Sequence, residues 1–131
     1  MTIRPATVAD LPVLAAMLRA EGVPDCDMRI HDGTTVVLDQ GGPRGSFTLE
    51  TTGGWLHLRH FVVAREHRSP AAARALGRAV CLVARSAGYT EMLVHAKRDT
   101  LGRFVRYWFR DARPYGRADD GAVLYRVGIG G

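Results

Sequence analysis

The sequence predicts an α/β domain of the α+β kind, with a mixed, mostly antiparallel central sheet flanked by helices. Three observations carry this. Three strand-like segments follow one another across short glycine-rich turns, the pattern of an antiparallel meander. A long amphipathic helical pattern then separates the last of them from another apolar strand, the layout of a β-α-β unit. The chain is 131 residues long, the length of one domain, so these elements are expected to share one core across residues 1–131.

Taken in order, residues 2–4 read as a short strand that Pro5 ends. Thr7-Val8-Ala9-Asp10 has the spacing of a capping box, with Asp in place of Glu. Leu11, Leu14, Ala15 and Leu18 follow at helical spacing until Gly22 and Pro24 stop the helix. Residues 25–33 are polar and mixed, a loop or a short second helix. Strands are predicted over 34–39, 46–51 and 55–63. Gln40-Gly41-Gly42-Pro43 and Gly53-Gly54 are the turns between them. From Pro70 the period changes. Ala72, Leu76, Ala79, Val80, Val83 and Ala87 share one face, and Arg74, Arg78 and Arg85 another. Pro70 suits a helix start and Gly88 its end. A strand over 92–96 completes the β-α-β unit of residues 55–96. Leu101, Phe104, Val105 and Trp108 mark a further helix, which Asp99 or Thr100 can cap. Strands over 113–117 and 122–127, joined at Asp119-Asp120-Gly121, close the chain.

Composition narrows the function classes. Hydrophobic residues make up 47% of the chain, enough for one core. No apolar run approaches the roughly 18 residues of a membrane helix, and the first residues lack the apolar stretch of a signal peptide, so a cytoplasmic protein is expected. The two cysteines, Cys26 and Cys81, are far apart and suggest neither a disulfide framework nor a zinc site. No His/Cys/Asp spacing points to a metal. The net charge of +5, mostly arginine, suits an anionic ligand, either a nucleic acid or a nucleotide cofactor with several phosphates. The basic residues are spread over several elements, and no helix-turn-helix, zinc-finger or RNP-like motif is present, which argues against nucleic acid.

The segment that carries chemistry is Arg68-Ser69-Pro70-Ala71-Ala72-Ala73. A strand that runs into a helix through a tight turn leaves backbone N–H groups unpaired and aimed one way. With the helix dipole behind them they form an anion site, and a pyrophosphate fits such a nest. Arg68 adds a cation at its mouth. Ser69, Ala71, Ala72 and Ala73 are small enough for phosphate to approach the backbone.

The order of elements, the opening Ile3-Arg4-Pro5-Ala6-Thr7 with Asp10-Leu11-Pro12, and the run Phe61 to Leu76 resemble the GNAT superfamily of N-acetyltransferases. Its R/Q-x-x-G-x-G/A motif falls on Arg68 to Ala73. The resemblance implies that acetyl-CoA or another short acyl-CoA is the co-substrate, bound by Phe61, Val62, Val63, Arg68, Ser69, Ala71, Ala72 and Ala73. It implies a backbone donor to the acyl carbonyl near Val62 or Val63. It also implies an amine acceptor that attacks directly in a ternary complex, which requires no nucleophilic residue. Two departures stand out. Ala71 occupies the place of a glycine and disfavours positive φ, and Pro70 brings no N–H.

Acyl transfer to an amine needs a proton acceptor for the amine, and the leaving thiolate needs a proton. Relatives carry a glutamate partway along the motif strand, and His57 stands at about that position. An imidazole can do the same task at neutral pH. Under strict alternation Trp55, His57, Arg59 and Phe61 share one face, and Leu58, His60 and Val62 the other. His57 also reads as a partly exposed strand histidine. His60, with apolar neighbours, and Glu50, a lone strand carboxylate, are weaker candidates. His95 reads as a buried or edge histidine. By resemblance Tyr107 is the donor to the thiolate, with Tyr115 second and Trp108 competing for the same slot. Lys97, Arg98, Arg103 and Arg106 form a basic cluster that suits the 3′-phosphate of CoA or a solvated helix face. The alternative to an enzyme is a GNAT-like domain that binds a partner and catalyses little. In either case a homodimer is a route to the missing wall of an acceptor pocket.

Overall fold

A computed structural model describes residues 2–22, 34–96, 109, 111–118 and 121–129. Residues 101–108 of the predicted helix, the segment 25–33 and the candidates Tyr107, Trp108, Lys97, Arg98, Arg103 and Arg106 lie outside the described residues. So do Cys26 and the turn residues Asp119 and Asp120.

The described elements are β1 (Thr2–Pro5), a 3-10 turn (Val8–Asp10), α1 (Leu11–Ala20), β2 (Thr34–Asp39), β3 (Pro43–Thr52) and β4 (Trp55–Val63). A second 3-10 turn (Arg65–His67) leads to α2 (Pro70–Ser86), β5 (Glu91–Ala96), β6 (Arg113–Arg117) and β7 (Val123–Gly128). The seven strands form one sheet in the order β1-β2-β3-β4-β5-β7-β6. Every neighbouring pair is antiparallel except β4 and β5. The predicted mixed, mostly antiparallel sheet is therefore present. The differences are at the ends of elements. Pro5 stays within β1, where it pairs with Val36. β3 starts three residues earlier than expected, because Pro43 already pairs with Asp39. The Thr7 and Asp10 pair closes the 3-10 turn ahead of α1, the Asp10 carboxylate accepting from the Thr7 N–H at 2.7 Å.

Strand alternation splits the core between two faces. Val36, Leu38, Phe47, Leu49, Leu56 and Leu58 meet Ala72, Leu76, Val80 and Ala84 of α2. Ala84, rather than Ala87, completes the buried stripe, since Ala87 caps the helix end. β3 and α2 approach closely at Gly45, where a Cβ would lie 3.0 Å from both Leu76 Cδ1 and the Val62 carbonyl oxygen. Thr35, Val37, Ser46 and Thr48 point the other way and are also buried. α1 covers that side with the fully buried Leu14 and Leu18 and touches β3 and β4. No described helix is long and apolar enough to cross a membrane.

β4 does not alternate strictly. Thr48 pairs with Arg59 and Ser46 with Val62, so Phe47 of β3 stands opposite both His60 and Phe61. This is a β-bulge. His60 sits in it with φ 55°, the single positive φ outside glycine among the described residues. The bulge moves Phe61 and Val63 onto the α2 face beside Leu56 and Leu58. Phe61 therefore leaves the face that strict alternation gave it with Trp55, His57 and Arg59.

Candidate functional site

β4 and β5 are hydrogen-bonded at only two positions, His57↔Leu93 and Leu58↔Val94. Beyond them the pairing ends, and among the described residues no strand pairs with β4 on that side up to Val63. Ala64 N–H donates to the Arg44 carbonyl at 2.8 Å, which marks a hydrogen-bonded pair with β3. By alternation the N–H and C=O of Val63 face the gap. The carbonyl is used there, accepting from Arg68 Nε at 3.0 Å. The parting, the bulge at His60 and the start of α2 thus converge on one opening in the sheet.

At the foot of this opening α2 begins. Ser69 is its N-cap in extended conformation, and its hydroxyl accepts from Ala72 N–H at 3.0 Å. Pro70 is the first helical residue, where an N–H would have no intrahelical partner, so its missing donor costs the helix nothing. Ala71 has no positive φ, so alanine in place of glycine brings no backbone strain. The amides of Ser69 and Ala71 donate to no group among the described residues, while Ala73 N–H is taken by the Ser69 carbonyl. Arg68, Ser69, Pro70 and Ala71 are exposed, Ala72 is buried and Ala73 half-buried. The first turn of α2 therefore presents small side chains and amide hydrogens to solvent, as an anion requires.

Arg68 is committed as well. Its Nη2 donates to Glu21, and Arg65 Nε donates to the same carboxylate at 3.1 Å. Glu21 lies just past α1, with its side chain 4% exposed. A carboxylate so buried requires partners, and the two arginines supply them. The pair of ion pairs ties the end of α1 to the turn before α2. Sequence reasoning gave no role to Glu21 or Arg65, because they are 44 residues apart and nothing local joins them.

The second cluster sits on the face away from α2. His57 Nδ1 lies 2.8 Å from His95 Nε2, and His57 Nε2 lies 3.3 Å from the Thr52 carbonyl oxygen. Glu50 is not a lone carboxylate. It accepts from Arg59 Nη1 at 2.8 Å. Trp55 packs against Tyr115 with centroids 5.4 Å apart, and Arg126 lies over the Trp55 ring while donating to Glu91. The structure brings His95 to His57 through parallel pairing, and only the register of β4 on β5 could have revealed it. Among the described residues no group of three or more His, Cys, Asp or Glu side chains could hold a metal. Cys81 is half-buried and burial pushes its thiol pKa up, which disfavours the reactive thiolate.

Solved structures share this fold with the chain, among them proteins of the GNAT family. A protein from Desulfovibrio desulfuricans assigned to the GNAT family superposes with a TM-score of 0.77 at 15% identity, over 98% of this chain and 98% of that one. A GNAT family acetyltransferase from Elizabethkingia anophelis with acetyl-CoA bound gives 0.70 at 16% identity, over 97% of each chain. The ribosomal-protein-S18-alanine N-acetyltransferase from Escherichia coli gives 0.72 at 13% identity, over 99% of this chain and 94% of that one. No family model and no curated protein matches by sequence.

Proposed function

We propose that the protein is an acyl-CoA-dependent N-acyltransferase that moves an acetyl or other short acyl group to a primary amine. The observation that carries this is the opening between β4 and β5 with the first turn of α2 at its foot. The CoA pyrophosphate would sit on the Ser69 and Ala71 amides, with Ala72 and Ala73 leaving room and the Arg68 guanidinium close by. A bound acyl-CoA would supply a carbonyl activated as a thioester. Phe61, Val62 and Val63 line its path up the opening, and the gap-facing Val63 N–H is the nearest backbone donor along it. The imidazole pair that contains His57 handles the amine proton. By resemblance the Tyr107 hydroxyl returns a proton to the thiolate. The amine attacks the thioester carbonyl directly, before the thiolate leaves, with no covalent enzyme intermediate. The Escherichia coli neighbour acts on the alanine of a ribosomal protein, so a protein N-terminus belongs among the acceptors to be tried beside small amines.

Arg68 has two tasks under this reading, holding Glu21 and meeting phosphate. Calorimetric titration with acetyl-CoA tests it, with Arg68→Gln and Arg68→Glu beside the unmodified chain and a thermal melt of each. Binding is expected for the parent chain. It should weaken about tenfold in the glutamine variant, the loss of one charge-assisted contact, and vanish in the glutamate variant. No binding at millimolar acetyl-CoA would overturn the enzyme reading and leave a GNAT-shaped interaction domain.

A further inference from the structure

We infer that His95 is the proton acceptor for the attacking amine and that His57 positions it, the two forming an oriented chain anchored on the Thr52 carbonyl. The inference rests on the acyltransferase reading and assigns the roles within it. The orientation follows from the partners. A carbonyl oxygen only accepts, so His57 Nε2, 3.3 Å from Thr52 O, carries the hydrogen of that contact. Neutral His57 then has its lone pair on Nδ1. That atom lies 2.8 Å from His95 Nε2, so His95 Nε2 is the donor and the His95 lone pair is on Nδ1. The chain runs from Thr52 through His57 to His95, and its basic end is His95 Nδ1.

Position favours the same end. His57 lies opposite Leu93, within the last paired stretch of β4 and β5, and it is anchored towards the β3–β4 turn. His95 is the first residue of β5 beyond the final pair, Leu58↔Val94. It therefore stands at the apex where the strands part. Under the acyltransferase reading, an acyl-CoA held by its pyrophosphate at Ser69 and Ala71 would have its thioester in this opening. Arg59 is held aside by Glu50.

The proton balance is simple. The acceptor enters as an ammonium, and its nitrogen loses two protons in becoming an amide. One passes to His95 Nδ1, an atom buried in the free protein, and is released once the amide product leaves. The other balances the proton that the CoA thiolate takes up as the C–S bond breaks and the C–N bond forms. His95, once protonated, still donates from Nε2 to neutral His57, and that charge-assisted bond stabilises the imidazolium. His57 thus acts on His95 as an orienting group acts on a catalytic base.

Long-range proton–nitrogen correlation on the full chain with 15N-labelled histidine reads the tautomers, with assignments from His57→Gln and His95→Gln. Both rings are expected to carry the hydrogen on Nε2. His57→Gln should turn His95 into a tautomer mixture, whereas a merely structural role for His57 would leave the His95 tautomer unchanged. At saturating acetyl-CoA, with occupancy checked by calorimetry, the His95 signals should move more than those of His57. A hydrogen on Nδ1 of either ring overturns the chain. Bound acetyl-CoA with unmoved His95 signals overturns the assignment of His95 while sparing the acyltransferase reading. Failure of acetyl-CoA to bind at all overturns both.

Discussion

The Asp10 side chain is only 8% exposed. Its carboxylate takes two hydrogen bonds from Arg4, at 2.8 and 2.9 Å, and one from the Thr7 amide. Arg4 reaches on to Asp39 at 2.8 Å, so one guanidinium joins β1, β2 and the entry to α1. The Arg4 contact holds the Asp10 carboxyl well below the usual carboxylate range, and Asp39 is lowered by the same cation. A group whose pKa falls on folding stabilises the fold fully above its unfolded value, near 4 for Asp. That contribution is lost as pH falls through the folded value. Urea unfolding should therefore show a steep loss of stability as the pH drops below about 4. Asp10→Asn should cost about 2 kcal/mol at pH 7, the worth of hydrogen bonds to a charged partner, and should flatten the acid limb. Equal slopes for the two proteins would refute this account of Asp10.

At the scale of elements, α2 depends on how it starts. The Ser69 hydroxyl satisfies the Ala72 amide, and Pro70 presets the first helical φ. Ser69→Ala should lower stability by about 1 kcal/mol, read as a shifted urea midpoint with unchanged slope. Acetyl-CoA binding should survive it, because the Ala72 amide is then released towards the ligand. Abolished binding in a folded Ser69→Ala variant would mean that the hydroxyl itself contacts phosphate. This start was legible in the sequence because Ser, Pro and three alanines are local signals, and so were both described helices and the meander. The parity of β4 after Arg59 was not legible. A bulge depends on whether the buried side chains of two strands come into register, and His60 carries no glycine-like mark of its positive φ. The Glu21 tie to Arg65 and Arg68 and the contact of His57 with His95 were hidden for a similar reason. Each joins elements whose mutual placement is set by packing of the whole sheet, whereas sequence periodicity reports only which face of its own element a residue occupies.

At the scale of the molecule, the sheet has a seam. β4 and β5 share two paired positions, whereas β5 and β7 share six. The half carrying β1 to β4 and the half carrying β5 to β7 meet along β4 and β5 and share the core that α2 covers. A ligand lying in the opening contacts strands on both sides and replaces the missing ladder. Under the proposed function acetyl-CoA should therefore stabilise the whole fold. At a free concentration of 100 times Kd the linkage is about 2.7 kcal/mol, and the melting temperature should climb by several degrees and keep rising with ligand concentration. Hydrogen exchange should slow most at residues 59–63 of β4 and at His95 and Ala96, which face each other across the seam. Desulfo-CoA lacks the thioester but keeps the phosphates, so it should reproduce protection at the start of α2 and leave His95 less protected. Protection confined to α2 with acetyl-CoA itself would mean that the ligand binds by its phosphates alone and leaves the opening in the sheet unused.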